Sequence, residues 1–168
     1  MFSVTKNGKK LDKNLYTWDE ESKTFSTKED RLVLDFSEYN GVTFKTSYGC
    51  TFKTGHDCTF NTSHSCTFDT GPYCTFKTGS GCTFKTVYDC TFDTGSSCTF
   101  KTEEDCVIVR RDVFEIIQPE PNVKIRLNGW GEKGYTLVKD TKTITIDGKD
   151  IEISLESFES LKEQLTNN

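Results

Sequence analysis

The sequence predicts an all-β protein: a β-solenoid, or β-roll, of eight-residue repeats with a small α+β cap at its C-terminal end. Three observations lead to this prediction. Eight cysteines follow one another at an unbroken spacing of eight residues, from Cys50 to Cys106. Most of them begin the motif Cys-Thr-Phe-x-Thr, and the three residues after the motif are rich in Gly, Ser and Asp. A short fixed period marks a solenoid, and small polar residues are typical of its turns.

Residues 1–33 are predicted to form an N-terminal cap hairpin. The segments 15–18 and 24–26 are strand-like, and the charged segment 19–23 between them is turn-like. A hairpin here would cover the open backbone edge of the first coil, which would otherwise be free to pair with another chain.

Residues 34–118 are predicted to form the repeat array. Alternate residues of a strand face opposite sides of a sheet. The residue after each Phe is usually Lys, Asn or Asp and must face water, so the Thr before the Phe faces water too. Cys and Phe therefore face inward. The predicted core ladder consists of Cys50, Phe52, Cys58, Phe60, Cys66, Phe68, Cys74, Phe76, Cys82, Phe84, Cys90, Phe92, Cys98, Phe100 and Cys106.

Degenerate units are predicted to extend the array at both ends, giving about eleven units in all. Their inward pairs are Leu34 with Phe36, Val42 with Phe44, Cys106 with Ile108, and Phe114 with Ile116. Atypical terminal units are what a capped stack of repeats should have.

The residue before each cysteine indicates how many repeats form one coil. Gly or Ser precedes every second cysteine, whereas Asp or Tyr precedes the others. A period of 16 residues favours two repeats per coil and hence a flattened roll of two sheets. A triangular coil of three repeats stays open as the alternative.

Residues 119–168 are predicted to form an α+β appendage, a hairpin plus a short helix. Asp147-Gly148 lies between two strand-like segments and is a strong hairpin signal. Ser154 then caps a helix with apolar residues along one face. Earlier in the appendage, Gly129-Trp130-Gly131 predicts a turn. Trp130 is either an exposed contact or, as we favour, a plug over the end of the core.

The cysteines are predicted to be free thiols that pack in the core. A zinc site needs ligands that converge, whereas a spacing of eight lays the thiols out in lines. A disulfide between neighbours in one line would strain the required torsion. We therefore expect no metal and no cofactor, with metal or redox chemistry as the alternative.

Charge and residue content argue against two classes of function. A net charge of −5 does not favour nucleic-acid binding. His56 and His64 lie in turns, on opposite sides of a two-repeat coil, without a nearby nucleophile. We predict that the protein is not an enzyme. We also expect no membrane contact, because neither a signal peptide nor a membrane-spanning stretch is visible.

The tandem Cys-Thr-Phe-x-Thr-Gly units and the closing hairpin-helix that begins at Ile144 resemble the small octapeptide-repeat β-solenoid proteins that bacteriophages and prophages encode. The resemblance implies a virus-encoded protein without an assigned enzymatic role, located in the cytoplasm of the host cell or in the virion. We expect a non-catalytic structural or protein-recognition module that binds a protein partner or a second copy of itself.

Two other functions stay open. The protein could be a soluble inhibitor, or decoy, of a host protein that acts through its acid-rich C-terminal helix. Alternatively, its outward threonines resemble the arrays of β-solenoid antifreeze proteins and could bind ice or a carbohydrate. The predicted contacts are Glu156, Glu159 and Glu163 in the first case, and Thr51, Thr67, Thr83 and Thr99 in the second. The Lys and Asp residues beside these threonines depart from the uncharged faces of the antifreeze family.

Overall fold

The computed structural model of the protein describes residues 1–139 and 141–166. The strands are β1 (Ser3–Lys6), β2 (Lys9–Lys10), β3 (Tyr16–Asp19), β4 (Thr24–Thr27), β5 (Leu32–Phe36), β6 (Thr43–Lys45), β7 (Thr51–Thr54), β8 (Thr59–Asn61), β9 (Thr67–Thr70), β10 (Thr75–Lys77), β11 (Thr83–Lys85), β12 (Thr91–Thr94), β13 (Thr99–Lys101), β14 (Val107–Arg110), β15 (Glu115–Ile117), β16 (Lys124–Leu127), β17 (Tyr135–Leu137), β18 (Thr141–Ile146) and β19 (Lys149–Ser154). A 3-10 turn spans Lys13–Leu15, and one α-helix, α1, spans Leu155–Thr166.

Successive repeats alternate between two sheets. Sheet A has the strand order β17-β16-β13-β11-β9-β7-β5-β1-β2, and sheet B has the order β15-β14-β12-β10-β8-β6-β4-β3. Each repeat pairs in parallel with the repeat 16 residues away, so that Phe52 lies opposite Phe68 and Phe60 opposite Phe76. The prediction of a β-solenoid with two repeats per coil is confirmed, and the three-repeat coil is wrong. The stack has about five turns.

The core is a column of phenylalanine rings between the two sheets. Rings one coil apart lie nearly parallel, with centroids 5.0 Å apart for Phe52 and Phe68 and 4.8 Å apart for Phe60 and Phe76. Rings from opposite sheets meet nearly at right angles, as Phe60 and Phe68 do at 5.1 Å. These offset and edge-on contacts are the arrangements that aromatic rings prefer. Every residue of the predicted core ladder is buried, and the repeated cysteine and aromatic ladders are therefore present.

The residue before each inward cysteine turns the chain. Its backbone is left-handed in every repeat; φ is 68° at Gly49, 58° at Asp57, 57° at Ser65 and 60° at Tyr73. This conformation suits glycine and is tolerated by aspartate, which explains the composition of the position. The same turns bond from coil to coil, since the Ser65 N–H donates to the carbonyl of Ser80 at 3.0 Å.

Antiparallel strands cover the N-terminal end of the stack. Strand β1 pairs with β5, and the predicted hairpin forms between β3 and β4, with Trp18 opposite Phe25. Strand β4 also lies parallel to β6, with Phe25 opposite Phe44. The parallel stack therefore begins one unit earlier than Leu34.

At the C-terminal end, one sequence prediction is wrong. Phe114 and Ile116 were expected to face inward in a last repeat, but their side chains are 94% and 72% exposed. The chain reverses at Phe114, whose φ is 50°, and β15 returns antiparallel to β14 with Ile117 opposite Ile108. A reversal that shifts the alternation by one residue places Ile117, and not Ile116, in the core.

The chain divides into two compact units, Met1–Leu137 and Val138–Asn168. Residues 119–137, which the sequence analysis assigned to the appendage, belong to the first unit, where β16 pairs with β13 and β17 with β16. In the second unit, β18 and β19 form the predicted hairpin around Asp147 and Gly148, both of which have positive φ. The Ser154 hydroxyl accepts a hydrogen bond from the Ser157 N–H at 3.1 Å and so caps α1.

Candidate functional site

The eight cysteines are free and buried, in two columns inside the solenoid. The Cys66 thiol donates to the His64 carbonyl at 3.6 Å, and the Cys66 N–H reaches the Cys82 sulfur at 3.4 Å. Burial raises the pKa of the Cys50 thiol, and the contact with Cys82 together with burial raises the pKa of Cys66. These two thiols are held in the neutral form, in which a thiol is a poor nucleophile and a poor metal ligand. The contact with Cys74 instead lowers the pKa of the buried Cys58 thiol to about 7. Among the described residues, no cluster of His, Cys, Asp and Glu could hold a metal ion.

The outward threonines of sheet A form one column. Thr51, Thr67, Thr83 and Thr99 lie side by side in register. Next to them runs a column of charged residues in which the Lys85 Nζ lies 3.5 Å from the Asp69 Oδ1. The structure thus aligns the four predicted threonines and places the Lys85–Asp69 ion pair directly beside them.

The acid-rich helix lies in the second unit. Glu159 and Glu163 of α1 are exposed, and Glu159 lies 3.7 Å from Lys162. Glu156 is also part of α1, but its side chain lies outside the described residues. Binding through this helix stays a prediction.

The two histidines lie in turns on opposite edges of the coil. The His56 Nδ1 lies 2.6 Å from an Asp57 carboxylate oxygen, and the His64 ring stacks on Tyr48 at 5.3 Å. Both side chains are at the surface. The His64 Nδ1 lies 2.9 Å from the Ser63 hydroxyl oxygen, and among the described residues no nucleophile is hydrogen-bonded to His56. One hydroxyl beside one imidazole lacks the third group that orients a hydrolytic base.

A buried arginine organises the C-terminal end of the solenoid. Arg110 occupies the position that is Thr in the repeat, and its side chain has no exposed surface. Its guanidinium donates to the Asp112 carboxylate at 2.7 Å and to the carbonyls of Glu132 at 2.7 Å and Gly129 at 3.2 Å. These contacts satisfy a charge that would otherwise be costly to bury.

The same network joins two loops. The Asp112 carboxylate also accepts from the Gly131 N–H at 3.3 Å, and the Glu115 carboxylate accepts from the Gly134 N–H at 2.9 Å. Burial acts to raise the pKa of Asp112, but the hydrogen bonds from Arg110 and Gly131 outweigh it and hold the pKa below its usual value. The turn 111–114 and the loop 128–134 are therefore fixed to one another. We call these two segments the C-terminal platform.

The C-terminal platform exposes two aromatic side chains. Phe114 at the tip of the turn is 94% exposed, and Trp130 in the loop is 77% exposed. The prediction that Trp130 plugs the core is therefore wrong, because Ile125 and Leu127 of β16 already fill that end. Large apolar side chains at such exposure on a rigid support are the features of a contact surface.

Sequence reasoning did not find the C-terminal platform, although one signal was present. Every full repeat has Thr at its fifth position, and the last unit has Arg110 there. A charged residue at an inward position requires partners, and it could have indicated that a polar network replaces the ladder at this point.

Comparisons with protein-family models, with curated proteins and with solved structures gave no match. Within the described ranges 1–139 and 141–166, no helix has the length and apolar character needed to span a membrane. By its fold, the chain belongs to the class of two-sheet β-solenoids with parallel coils and antiparallel caps at both ends.

Proposed function

We propose that the protein is a non-catalytic structural or recognition module that contacts another protein through its C-terminal platform. The observation that carries this proposal is the pair of exposed rings, Phe114 and Trp130, on two loops that a buried ion pair locks together. Aromatic anchors dominate protein interfaces, and a preorganised backbone lowers the conformational entropy that binding costs.

The exposure of Phe114 supports the same proposal. Its backbone is left-handed, with φ of 50°, as in the repeat turns, where φ is 60° at Tyr73. Unlike the repeat turns, the turn at Phe114 places its ring almost fully in solvent, so that the ring adds nothing to the buried core.

The partner class follows from the resemblance to phage and prophage proteins. A virus-encoded module in the cytoplasm of the host cell or in the virion would bind a host protein, a virion protein or a second copy of itself. If it binds a host protein, the module would act as an inhibitor or decoy, and the acid-rich helix α1 offers a second contact surface for that role.

The experiment compares the double variant Phe114→Ser with Trp130→Ser against wild type. The matched control is Tyr73→Ser with Tyr88→Ser, two exposed aromatic residues at 51% and 41% exposure that lie away from the C-terminal platform. Self-association is followed by light scattering, and binding of other proteins by affinity capture from bacterial lysate.

We expect wild type and the tyrosine variant to retain the same partner, or the same oligomer, and the platform variant to lose it. Retention by all three proteins, or by none of them, would contradict the proposal. Circular dichroism of each variant verifies that the solenoid is intact.

A second candidate function is ice or carbohydrate binding by the threonine column of sheet A. The observation in its favour is the in-register alignment of four outward threonines, Thr51, Thr67, Thr83 and Thr99. The double variant Thr67→Lys with Thr83→Lys should abolish this activity and leave the fold intact, which a thermal-hysteresis assay and a glycan-binding assay would measure.

A further inference from the structure

The outer face of sheet B differs from that of sheet A, although the same repeat builds both. Two columns of side chains run across the first coils of sheet B, in register from strand to strand. The first column is Thr24, Thr43, Thr59 and Thr75, and the second is Thr17, Ser26, Lys45, Asn61 and Lys77. The first column presents hydroxyl groups, and the second presents hydroxyl, amide and ammonium groups. Neither contains a carboxylate between these residues.

Acidic residues flank these columns but are already engaged. Asp19, opposite Thr24 at the edge, accepts hydrogen bonds from the backbone N–H groups of Glu21 and Ser22. Asp93, one coil beyond Lys77, lies 2.7 Å from the Arg111 Nε. The ammonium groups of the second column are therefore left for an external anion.

The first coils of sheet A do not share this property. Their corresponding column reads Asp35, Lys53, Asp69 and Lys85, so that charges of opposite sign alternate from coil to coil. Beyond Lys85 the column continues with Lys101 and Lys124, at the other end of the stack. The Lys85–Asp69 contact at 3.5 Å shows this internal neutralisation. Two faces with the same repeat thus differ in the charge they offer to a ligand.

Two adjoining depressions lie along the first coils of sheet B. Their volumes are about 560 Å³ and 470 Å³, and they share Thr27, Lys28 and Lys45. Tyr16 lines the larger one, and Asn61 lines the smaller one. Together they form a shallow, open groove lined by cationic, hydroxyl and amide groups. The Glu29 carboxylate also lines the larger depression, and it is paired with the Lys6 ammonium group at 2.9 Å.

We propose that this groove, together with the outer face of sheet B that continues from Asn61 to Lys77, binds an anionic glycan, a polyhydroxylated chain that carries carboxylate or sulfate groups. The hydroxyl and amide side chains exchange hydrogen bonds with sugar hydroxyls, and the Lys28, Lys45 and Lys77 ammonium groups pair with the anionic substituents. A neutral glycan would leave the lysines unused. A nucleic acid would need a denser row of cations than a protein of net charge −5 presents here.

The spacing of the lysines fits a polymer laid across the coils. Lys45 and Lys77 are two coils apart, a distance of about 10 Å at the usual strand spacing. Anionic groups on alternate rings of a polysaccharide repeat over a similar length. Asn61 lies between the two lysines and can bond the intervening ring. This groove is separate from the C-terminal platform, and its function does not depend on the platform.

The test measures binding of the full chain to immobilised polysaccharides by biolayer interferometry. The probes are a polyuronate, a highly sulfated polysaccharide, a neutral glucan and polyglutamate. The variant is Lys45→Gln with Lys77→Gln. The matched control is Lys53→Gln with Lys85→Gln, which removes the same number of charges from the same repeat position on sheet A.

We expect the polyuronate or the sulfated polysaccharide to bind wild type and the sheet A variant alike. We expect the sheet B variant to bind about tenfold more weakly, equivalent to about 1.4 kcal/mol. The two anionic probes identify which substituent the lysines prefer. The proposal is overturned if neither anionic polysaccharide binds or both variants lose binding equally. It is also overturned if the neutral glucan or polyglutamate binds as well as the anionic polysaccharides.

Discussion

The solenoid body and its C-terminal end are stabilised by different kinds of buried contact. In the body, each coil buries the same phenylalanine and cysteine side chains against identical neighbours. At the end there is no further coil to stack on. Arg110 replaces the repeat threonine there and bonds to Asp112 in the turn 111–114 and to two carbonyls of the loop 128–134. The repeats of the body are equivalent to one another, whereas the structure of the C-terminal end depends on single residues such as Arg110.

This difference has a consequence for function. A periodic surface offers the same groups many times and suits a periodic ligand. The C-terminal platform occurs once, and its two exposed rings can fit only a particular partner. Recognition of a protein is therefore expected where the repeat is broken, and recognition of a polymer where it is kept.

The largest expected effect tests the periodic core. Phe76 stacks on Phe60 and Phe92 at 4.8 Å each, so Phe76→Ala removes contacts on both sides. We expect the free energy of unfolding to fall by about 3–5 kcal/mol in urea denaturation. Lys77→Ala, at the adjacent outward position, should change it by less than about 0.5 kcal/mol. Comparable losses from the two variants would mean that the inward face is wrongly assigned.

The next effect tests the C-terminal end. Arg110→Gln leaves the Asp112 carboxylate buried without its charge partner, which typically lowers stability by about 3 kcal/mol or more. The loss should be local. In a Trp18→Phe background, where Trp130 is the remaining tryptophan, quenching of its fluorescence should change well before the circular dichroism of the sheets. A single transition for both signals would show that the end and the body unfold as one.

Acid should destabilise the C-terminal end more than the solenoid body. The pKa of Asp112 is lowered in the folded protein, so its ionised form stabilises the fold above the unfolded value of about 3.9. That stabilisation is lost as the pH falls through the folded value. We expect the Trp130 signal to shift as the pH falls below about 4, and Asp112→Asn to reduce the pH dependence of this shift. An unchanged acid transition in the variant would exclude Asp112 as its cause.

Alkali should act on the body instead. The pKa values of Cys50 and Cys66 are raised in the folded protein, whereas an unfolded thiol ionises near about pH 8.5. The stabilisation from these two neutral thiols is therefore complete below about pH 8.5 and declines as the pH rises above it. Other thiols of the ladder shift the opposite way, as Cys58 does with a pKa lowered to about 7, so the test isolates Cys66. The difference in urea midpoint between wild type and Cys66→Ala, measured in reductant, should change in favour of the variant as the pH rises above about 8.5. Equal slopes for wild type and variant would count against this explanation.

The smallest effect concerns the turns. Ser65 and Gly81 occupy equivalent turn positions with φ of 57° and 69°. Ser65→Gly should raise stability by up to about 1 kcal/mol, and Gly81→Ala should lower it by a similar amount. A side chain at Gly81 would meet only the Ser65 hydroxyl, at 3.8 Å, so the backbone conformation alone sets the sign. Thermal unfolding of both variants measures these changes in stability.

The periodic part of the fold was predictable because each repeat states the same pattern. Inward Phe76 and outward Lys77 follow from alternation within a strand, and two repeats per coil followed from the residue before each cysteine. Repetition averages out the ambiguity that any single eight-residue segment would carry.

The C-terminal end was not predictable in the same way. The antiparallel return at Phe114 changes the direction of the chain, and a period contains no information about direction. The partners of Arg110 lie in loop 128–134, which has no periodic counterpart. The side chains that define the C-terminal platform are therefore fixed by contacts between segments that show no relation in sequence.

The 16-residue coil also constrains how such a gene can change length. Gain or loss of 16 residues would keep Arg110 on the same sheet and keep both caps matched to their strands. Gain or loss of eight would move the last strand to the opposite sheet and separate Arg110 from its loop. Recombination between the repeats would generate length variants. Those that differ by two units, or a multiple of two, should keep the fold. Each step would carry the two ends of the solenoid about 4.8 Å further apart or closer together.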